Sequence, residues 1–157
     1  MEQTGLKKAF IQLHLSVMLA GFTGLFGKLV TLNETTLTWY RLVFTTMILL
    51  VFTGLPRVEF KKFLKIAGCG TLLGLHWILL YASIKASNVS IGVVSFASIC
   101  FFTSIFEPMI LRKRFSIVDM LLALITIVGL ACIFSFDTRY RTGIIIGVLS
   151  AAVCSLY

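Results

Sequence analysis

The chain has 157 residues, of which 59% are hydrophobic and only 13% are charged. Because a soluble domain is nearer half apolar and a quarter charged, this composition excludes a soluble globule. The net charge of +8 alone would suit nucleic acid, but the cations stand between long apolar runs, where they orient a protein in a lipid bilayer. We therefore expect a lipid bilayer as partner and no nucleic acid. Four scattered cysteines without a CxxC pair predict neither a metal site nor a disulfide framework.

Long apolar runs recur along the chain and predict an all-α, polytopic membrane helix bundle. Five runs are long enough to cross a bilayer, and a sixth is shorter than the roughly 20 residues that a span needs. The predicted spans are Phe10–Thr31, Leu37–Leu55, Ile66–Ile84, Ile91–Leu111, Ile117–Phe136 and the incomplete Gly143–Tyr157. Residues 1–9 are then the N-terminal segment, 10–136 a five-helix unit, and 137–157 a linker with the start of a second unit.

The first two spans carry a face of small residues and an intramembrane cation. Gly24 and Gly27 fall on one helical face, and small residues let helix backbones approach closely, so we predict that this face packs against a neighbour. Arg41 lies about 6 Å inside the start of the second span, at ~1.5 Å per residue. It either extends to the outer surface or faces a polar cavity, and the sequence does not decide between these interpretations.

The third span contains the deepest ionisable side chain of the chain. Gly70 and Gly74 form a GxxxG pair, which predicts a close crossing with another helix. His76 follows near the middle of the span, and Trp77 and Tyr81 share a face at i and i+4. Because lipid offers no hydrogen bonds, His76 needs partners or a water-filled cavity. It either lines a pathway with the two aromatic residues or bonds to a neighbouring helix for packing alone.

The fourth span ends against three consecutive cations, Arg112 to Arg114, which mark one face of the membrane. Within this span Glu107 precedes Pro108, and the proline has no N–H to donate to the carbonyl of Ser104. The pair predicts a kinked helix that acts as a gate or hinge, with Glu107 paired to Arg112 or Lys113. Since Glu107 lies near the membrane interface, it is a weaker candidate for ion coupling than its charge suggests.

The distribution of cations predicts the orientation of the chain. With a cytoplasmic N-terminus, the inner segments hold nine Lys and Arg residues and the outer ends hold four, leaving out Arg41. The inner cations are Lys7, Lys8, Arg57, Lys61, Lys62, Lys65, Arg112, Lys113 and Arg114, and the outer ones are Lys28, Lys85, Arg139 and Arg141. Because cytoplasmic segments carry the excess of positive charge, we expect an inner or plasma membrane protein with its N-terminus in the cytoplasm.

Several stretches together resemble one family. They are GLFGKLV in the first span, WYRL in the second, GTLLGLHWILLYASIKASNVSIGVVSF through the third and fourth, and IVGLACIF in the fifth. On these residues the chain resembles the EamA-like family of the drug/metabolite transporter superfamily, across that family's first half. The resemblance implies two five-span repeats, small metabolites as substrates and no cofactor. Because five is odd, a tandem copy inserts the opposite way and gives an inverted repeat.

Two functions follow as hypotheses. The first is a secondary transporter that exports small organic metabolites by alternating access, with Arg41, His76, Trp77 and Tyr81 along its pathway and proton binding at His76 as a means of coupling. The second is an inactive or structural fragment that needs the second repeat or a partner copy in a homodimer. An enzyme is not expected, because the spans contain no HExxH, GxSxG or CxxC motif.

Overall fold

The computed structural model describes residues 2–54, 58–134 and 138–157, and these residues form helices joined by short turns. The predicted span ends at Leu55 and Phe136 and the linker start at Asp137 lie outside the described residues. The helices are α1 Glu2–Leu29, α2 Glu34–Thr53, α3 Phe60–Ala86, α4 Val89–Phe96, α5 Ile99–Leu111, α6 Ile117–Phe134 and α7 Arg141–Ser155, with a 3₁₀ turn at Thr138–Tyr140.

Within the described residues, four helical stretches are long and apolar enough to cross a bilayer. They are Leu6–Leu29, Glu34–Thr53, Phe60–Ala86 and Val89–Leu111, while α6 and α7 are shorter apolar helices. Large apolar side chains cover the outside of the bundle, and Val51 and Phe52 are 82% and 83% exposed. Such an apolar exterior suits lipid, and helices satisfy their own backbone polar groups there. The predicted all-α polytopic membrane bundle is confirmed.

Asparagine residues begin two of the helices, and a glycine ends one of them. The side chain of Asn33 accepts a hydrogen bond from the Glu34 N–H at the start of α2, and that of Asn88 accepts one from the Ile91 N–H at the start of α4. Each supplies an acceptor to a backbone donor that the first helical turn leaves unpaired. Gly54 ends α2 with a φ of 68°, a conformation that a residue without a Cβ adopts at little cost.

The third span, α3, is the central helix of the bundle. It packs against α1, α2, α4 and α7, and it begins at Phe60 rather than at the predicted Ile66. Its buried Leu80, Tyr81 and Ile84 form the apolar core. The incomplete sixth run, α7, is an integral part of the bundle because it packs against α3, α4 and α5.

Close helix approaches occur at glycines of α4 and α7. A Cβ added at Gly92 would lie 2.6 Å from the Cγ1 of Ile84, and one added at Gly147 would lie 2.6 Å from the Cβ of Ser95. At Gly143 an added Cβ would lie 2.5 Å from the side chain of Ser87. Small residues therefore bring the backbones of α3, α4 and α7 together.

The glycines singled out in the sequence divide into two groups. Gly24 faces the side chain of Val89, and an added Cβ at Gly27 would overlap the ring of Tyr81. Gly74 has only an ordinary contact with Leu42, at 3.8 Å, and Gly70 faces open space. In this structure the GxxxG pair of α3 is not a close crossing, because the partners of α3 approach its other faces.

The fourth span is interrupted at Ala97 and Ser98 rather than at Pro108. The Ala97 N–H bonds the carbonyl of Val94 and the Ser98 N–H bonds that of Ser95, so the spacing tightens here from four residues to three. The Ser98 hydroxyl also donates to the Ser95 carbonyl, at 2.7 Å, which satisfies an acceptor at the break. Pro108 lies inside α5, close to its end at Leu111. Its missing N–H therefore removes a backbone hydrogen bond only in the last part of the helix.

Candidate functional site

Four side chains from α2 and α3 meet inside the bundle: Arg41, His76, Trp77 and Tyr81. We call them the polar-aromatic cluster. The guanidinium of Arg41 donates to the Tyr81 hydroxyl at 2.9 Å and lies 3.5 Å above the centre of the Trp77 ring. The Trp77 ring is 5.7 Å from that of Tyr81 and 5.1 Å from that of His76. The structure thus brings together all four residues that the sequence assigned to a pathway.

Helix geometry and one glycine explain how the cluster forms. Trp77 and Tyr81 stand four residues apart, so they share one face of α3, and that face meets α2. Tyr81 is 3% exposed because its ring lies against the backbone of α1 at Gly27. A side chain at position 27 would push the ring away, so the glycine of the first span determines where the Tyr81 hydroxyl meets Arg41.

Arg41 is half-buried and carries an intramembrane charge. In the described part of the chain the ion pairs join Lys62 to Glu59, Lys85 to Glu34 and Lys113 to Glu107, and none involves Arg41. Its interactions are the aromatic face of Trp77 and the hydroxyl of Tyr81, which attract a cation without neutralising it. The cluster therefore retains a net positive charge that an anionic or polar group can approach.

His76 is buried at 3% exposure and is held by α7. Its Nδ1 lies 2.8 Å from the hydroxyl of Ser150, and that hydroxyl donates to the His76 carbonyl at 2.9 Å. The ring also lies 4.8 Å from that of Phe96, at the end of α4 and beside the break in the fourth span. Sequence reasoning missed both Ser150 and Phe96, because a serine among small residues and a phenylalanine in an apolar run carry no distinctive signal.

A second polar contact joins α3 to α7 one to two turns from His76. The Ser83 hydroxyl donates to the Gly143 carbonyl at 2.6 Å, and Ser83 is fully buried. Ser95 is also fully buried, near Gly147, and its hydroxyl has no hydrogen-bond partner among the described residues. Hydrogen bonds between membrane helices add roughly 0.6 kcal/mol each, so the close glycine packing and these bonds together hold α7.

At the end of the bundle where α1 turns into α2, Lys85 connects three elements. Its ammonium lies 3.6 Å from the Glu34 carboxylate and donates to the carbonyl of Leu32 in the turn. Both charged side chains are about a quarter exposed, so the pair is better shielded than a surface pair. It fastens this end of α3 beside the cluster.

At the opposite end Glu107 pairs with Lys113 at 3.3 Å, one of the two pairings that the sequence suggested. Both side chains are more than half exposed, so the ion pair contributes at most about 1 kcal/mol. A cavity of about 430 Å³ opens beside Glu107 between α5 and α6, and Asp119 and Thr103 also line it. Glu107 and Pro108 therefore lie on α5 beside this cavity, and the polar-aromatic cluster is formed by α2 and α3.

The hypothesis that Pro108 is part of a gate or hinge predicts a specific kinetic change. Pro108→Ala restores the backbone N–H and should stiffen α5, which lowers the turnover of transport more than the amount of protein in the membrane. Flux and membrane abundance measured on the same vesicles give this comparison. An equal fall in both would assign Pro108 to fold stability alone.

The described residues contain no group of three or more His, Cys, Asp and Glu side chains that could hold a metal ion. A cation on an aromatic face and a buried histidine between helices are suited to binding and protonation. The fold and this cluster together define a polytopic helical membrane protein with a polar site inside its apolar bundle.

Comparison with known families gives the particular assignment. The sequence profile of the EamA-like transporter family matches residues 7–135, which is most of the chain, so the chain belongs to this family. It is a membrane transporter of the drug/metabolite type. No curated protein and no solved structure matches the chain significantly.

Proposed function

We propose that the protein is a secondary transporter that exports small organic metabolites by alternating access, with the polar-aromatic cluster on the substrate pathway. The observation that carries this proposal is the unneutralised Arg41 held on the Trp77 face next to buried His76. Intramembrane ionisable residues are costly, and they are retained where they face a pathway or a partner. Aromatic walls with a few polar groups suit an organic solute better than a bare ion.

The interruption of the fourth span supports the same site. Broken helices at membrane depth occur where backbone lines a cavity or is buried in protein, and transporters place binding sites at such breaks. Here the break at Ala97 and Ser98 directly follows Phe96, whose ring contacts His76. A rearrangement of α4 relative to α5 would therefore be transmitted to the histidine through one aromatic contact.

The transporting unit in this proposal contains a second repeat or a second copy of the chain, inserted in the opposite direction. An odd number of spans per repeat supports this arrangement, because it inverts the following repeat. The alternative is a structural protein without transport activity. The mass of the purified protein in detergent, read alongside flux, distinguishes them: a monomer without flux favours the structural function.

We propose further that the protein resides in the inner or plasma membrane with its N-terminus in the cytoplasm. The excess of cations in the segments predicted to be inner, which include Lys113 and its neighbours, supports this orientation. A reporter enzyme that is active only outside the cytoplasm, fused to the N-terminus, should show no activity. Activity of this reporter would reverse the proposed orientation.

An unbiased export experiment tests the function. Cells that express the protein and cells with an empty vector are compared by untargeted mass spectrometry of the medium and of the cell contents. At least one small organic metabolite should accumulate in the medium and fall inside the cells.

Gly70→Ala serves as a matched control because position 70 faces open space, so this variant should export as the wild type does. Accumulation inside the cells would indicate import, and unchanged profiles would contradict transport.

A further inference from the structure

His76 and Ser150 form a reciprocal pair between α3 and α7. The Ser150 hydroxyl lies 2.9 Å from the His76 carbonyl and 2.8 Å from the His76 Nδ1, and Nδ1 also lies 3.3 Å from the Ser150 carbonyl. Both residues are buried, at 3% and 0% exposure. Water therefore does not compete for these contacts, and the donors and acceptors must match within the pair.

The proton positions follow from counting donors. A serine hydroxyl has one proton, and a backbone carbonyl can only accept, so the proton of Ser150 lies on the bond to the His76 carbonyl. Toward Nδ1 the same hydroxyl oxygen must accept, which requires a hydrogen on Nδ1. The Ser150 carbonyl, the second neighbour of Nδ1, is also only an acceptor and demands the same hydrogen.

The other ring nitrogen, Nε2, is then the unprotonated atom of neutral His76. The hydrogen bonds of the ring within the described residues all involve Nδ1, so Nε2 makes none there. Arg41 of α2 is separated from the ring by Trp77: its guanidinium lies 3.5 Å from the centre of the Trp77 ring, which is 5.1 Å from the His76 ring. Neighbouring α4 (Val89–Phe96) has no ionisable side chain, and α7 presents Ser150 to the ring.

We propose that Ser150 is a positioning residue that holds neutral His76 as the Nδ1–H tautomer, so that Nε2 is the atom that accepts a hydrogen bond or a proton from the pathway. The role of the pathway in this statement rests on the proposed function. The hydrogen bond that one ring nitrogen makes determines which nitrogen is free, and here that bond comes from the first helix after the five-span unit.

A functional consequence follows for proton binding. A proton that adds to Nε2 leaves the Nδ1–H bond to Ser150 in place, so the contact between α3 and α7 survives in both protonation states. The added charge is instead shared by the ring, which packs against Trp77 and Phe96, and the guanidinium of Arg41 lies on the Trp77 face. Protonation thus acts on the cluster and on the break of the fourth span, and not on the attachment of α7.

The tautomer can be measured without a substrate. Protein labelled with ¹⁵N-histidine is placed in lipid nanodiscs at about pH 9, where an ordinary imidazole is neutral, and the ring nitrogens are recorded by NMR. The two histidines are assigned with His14→Gln, since His14 is the only other histidine. We expect a protonated Nδ1 and a bare Nε2 for His76. A protonated Nε2 in the wild type would overturn the proposal.

Variants at position 150 test whether the serine hydroxyl is responsible. Ser150→Ala removes the acceptor, and Ser150→Cys keeps nearly the same volume but offers only a weak sulfur acceptor. In both variants the Nδ1 hydrogen should exchange with solvent about threefold faster, as expected when an interhelical hydrogen bond of about 0.6 kcal/mol is lost. An exchange rate equal to that of the wild type in both variants would contradict the positioning role. If Ser150→Cys exchanged as slowly as the wild type and only Ser150→Ala exchanged faster, the effect would be assigned to packing.

Two amide substitutions separate the ring nitrogens. The side-chain nitrogen of asparagine lies near the place of Nδ1, and that of glutamine lies near the place of Nε2. His76→Asn should therefore keep the bond to Ser150 and a thermal midpoint close to wild type, whereas His76→Gln should lose the bond and unfold at a lower temperature. The reverse order would overturn the proposal. Because this comparison and the NMR measurement need no flux, their failure is distinguishable from failure of the transport function.

Discussion

His76→Ala is expected to abolish export while the protein still inserts into the membrane. The substitution removes both ring nitrogens and the ring contacts with Trp77 and Phe96 from the centre of the bundle. The hydroxyl of Ser150 keeps its bond to the carbonyl of residue 76, so the link between α3 and α7 is weakened without being lost. Losing one pathway hydrogen bond of about 1.4 kcal/mol lowers flux about tenfold, and losing a protonation site lowers it further.

The matched control for this experiment is His14→Ala. His14 is exposed on α1, and its ring bonds only the carbonyl of Phe10 within the same helix. Export of the metabolite identified by mass spectrometry and the amount of protein in the membrane are measured for both variants. Export that persists in His76→Ala at wild-type abundance would remove the histidine from the pathway and leave the packing interpretation.

Gly147→Ala is expected to destabilise the bundle by detaching α7. The added Cβ would lie 2.6 Å from the Cβ of Ser95 and 2.9 Å from the hydroxyl of Ser83, and both serines are fully buried. Neither neighbour can move aside without displacing a helix, so overpacking costs about 1–3 kcal/mol. The thermal midpoint of the protein in detergent should fall by several degrees. The Nδ1 hydrogen of His76 should also exchange faster with solvent, because its partner Ser150 lies on the same helix as Gly147.

Gly70→Ala is the control for the glycine substitution. It places the same methyl group on a helix, but apart from the adjoining residues and backbone of that helix no atom lies within 4 Å of the new Cβ. Because alanine favours the helix over glycine by up to about 1 kcal/mol, this variant should be as stable as the wild type or slightly more so. If both substitutions lowered the midpoint equally, the close approach at Gly147 would not explain the effect.

Several features could be predicted from the sequence because they are local. Hydropathy within one run decides whether a helix can cross a bilayer, and the all-α bundle and the family assignment followed from such runs and from short stretches such as WYRL. The depth of His76 needed only counting along its own helix. The meeting of Trp77 and Tyr81 on one face likewise follows from the spacing of four residues.

The features that the sequence could not supply depend on which helix faces meet. The GxxxG motif marked α3 as suited to close packing, but Gly70 faces open space while Gly92, Gly143 and Gly147 make the close approaches. The kink was expected at Pro108 because proline removes a hydrogen bond, yet the fourth span breaks at Ala97 and Ser98, beside α7. The faces that meet at these glycines depend on helices far apart in the chain, and hydropathy within one run does not record them.

The sequence by itself determined that this chain is an all-α membrane bundle and that a histidine lies near the middle of its third apolar run. The tertiary structure alone decided what that histidine touches. Arg41 reaches Tyr81 across 40 residues, and Ser150 reaches His76 across 74. The physical reason is that burial in lipid is a property of each helix, whereas hydrogen-bond partners inside the bundle are chosen by packing between helices far apart in the chain.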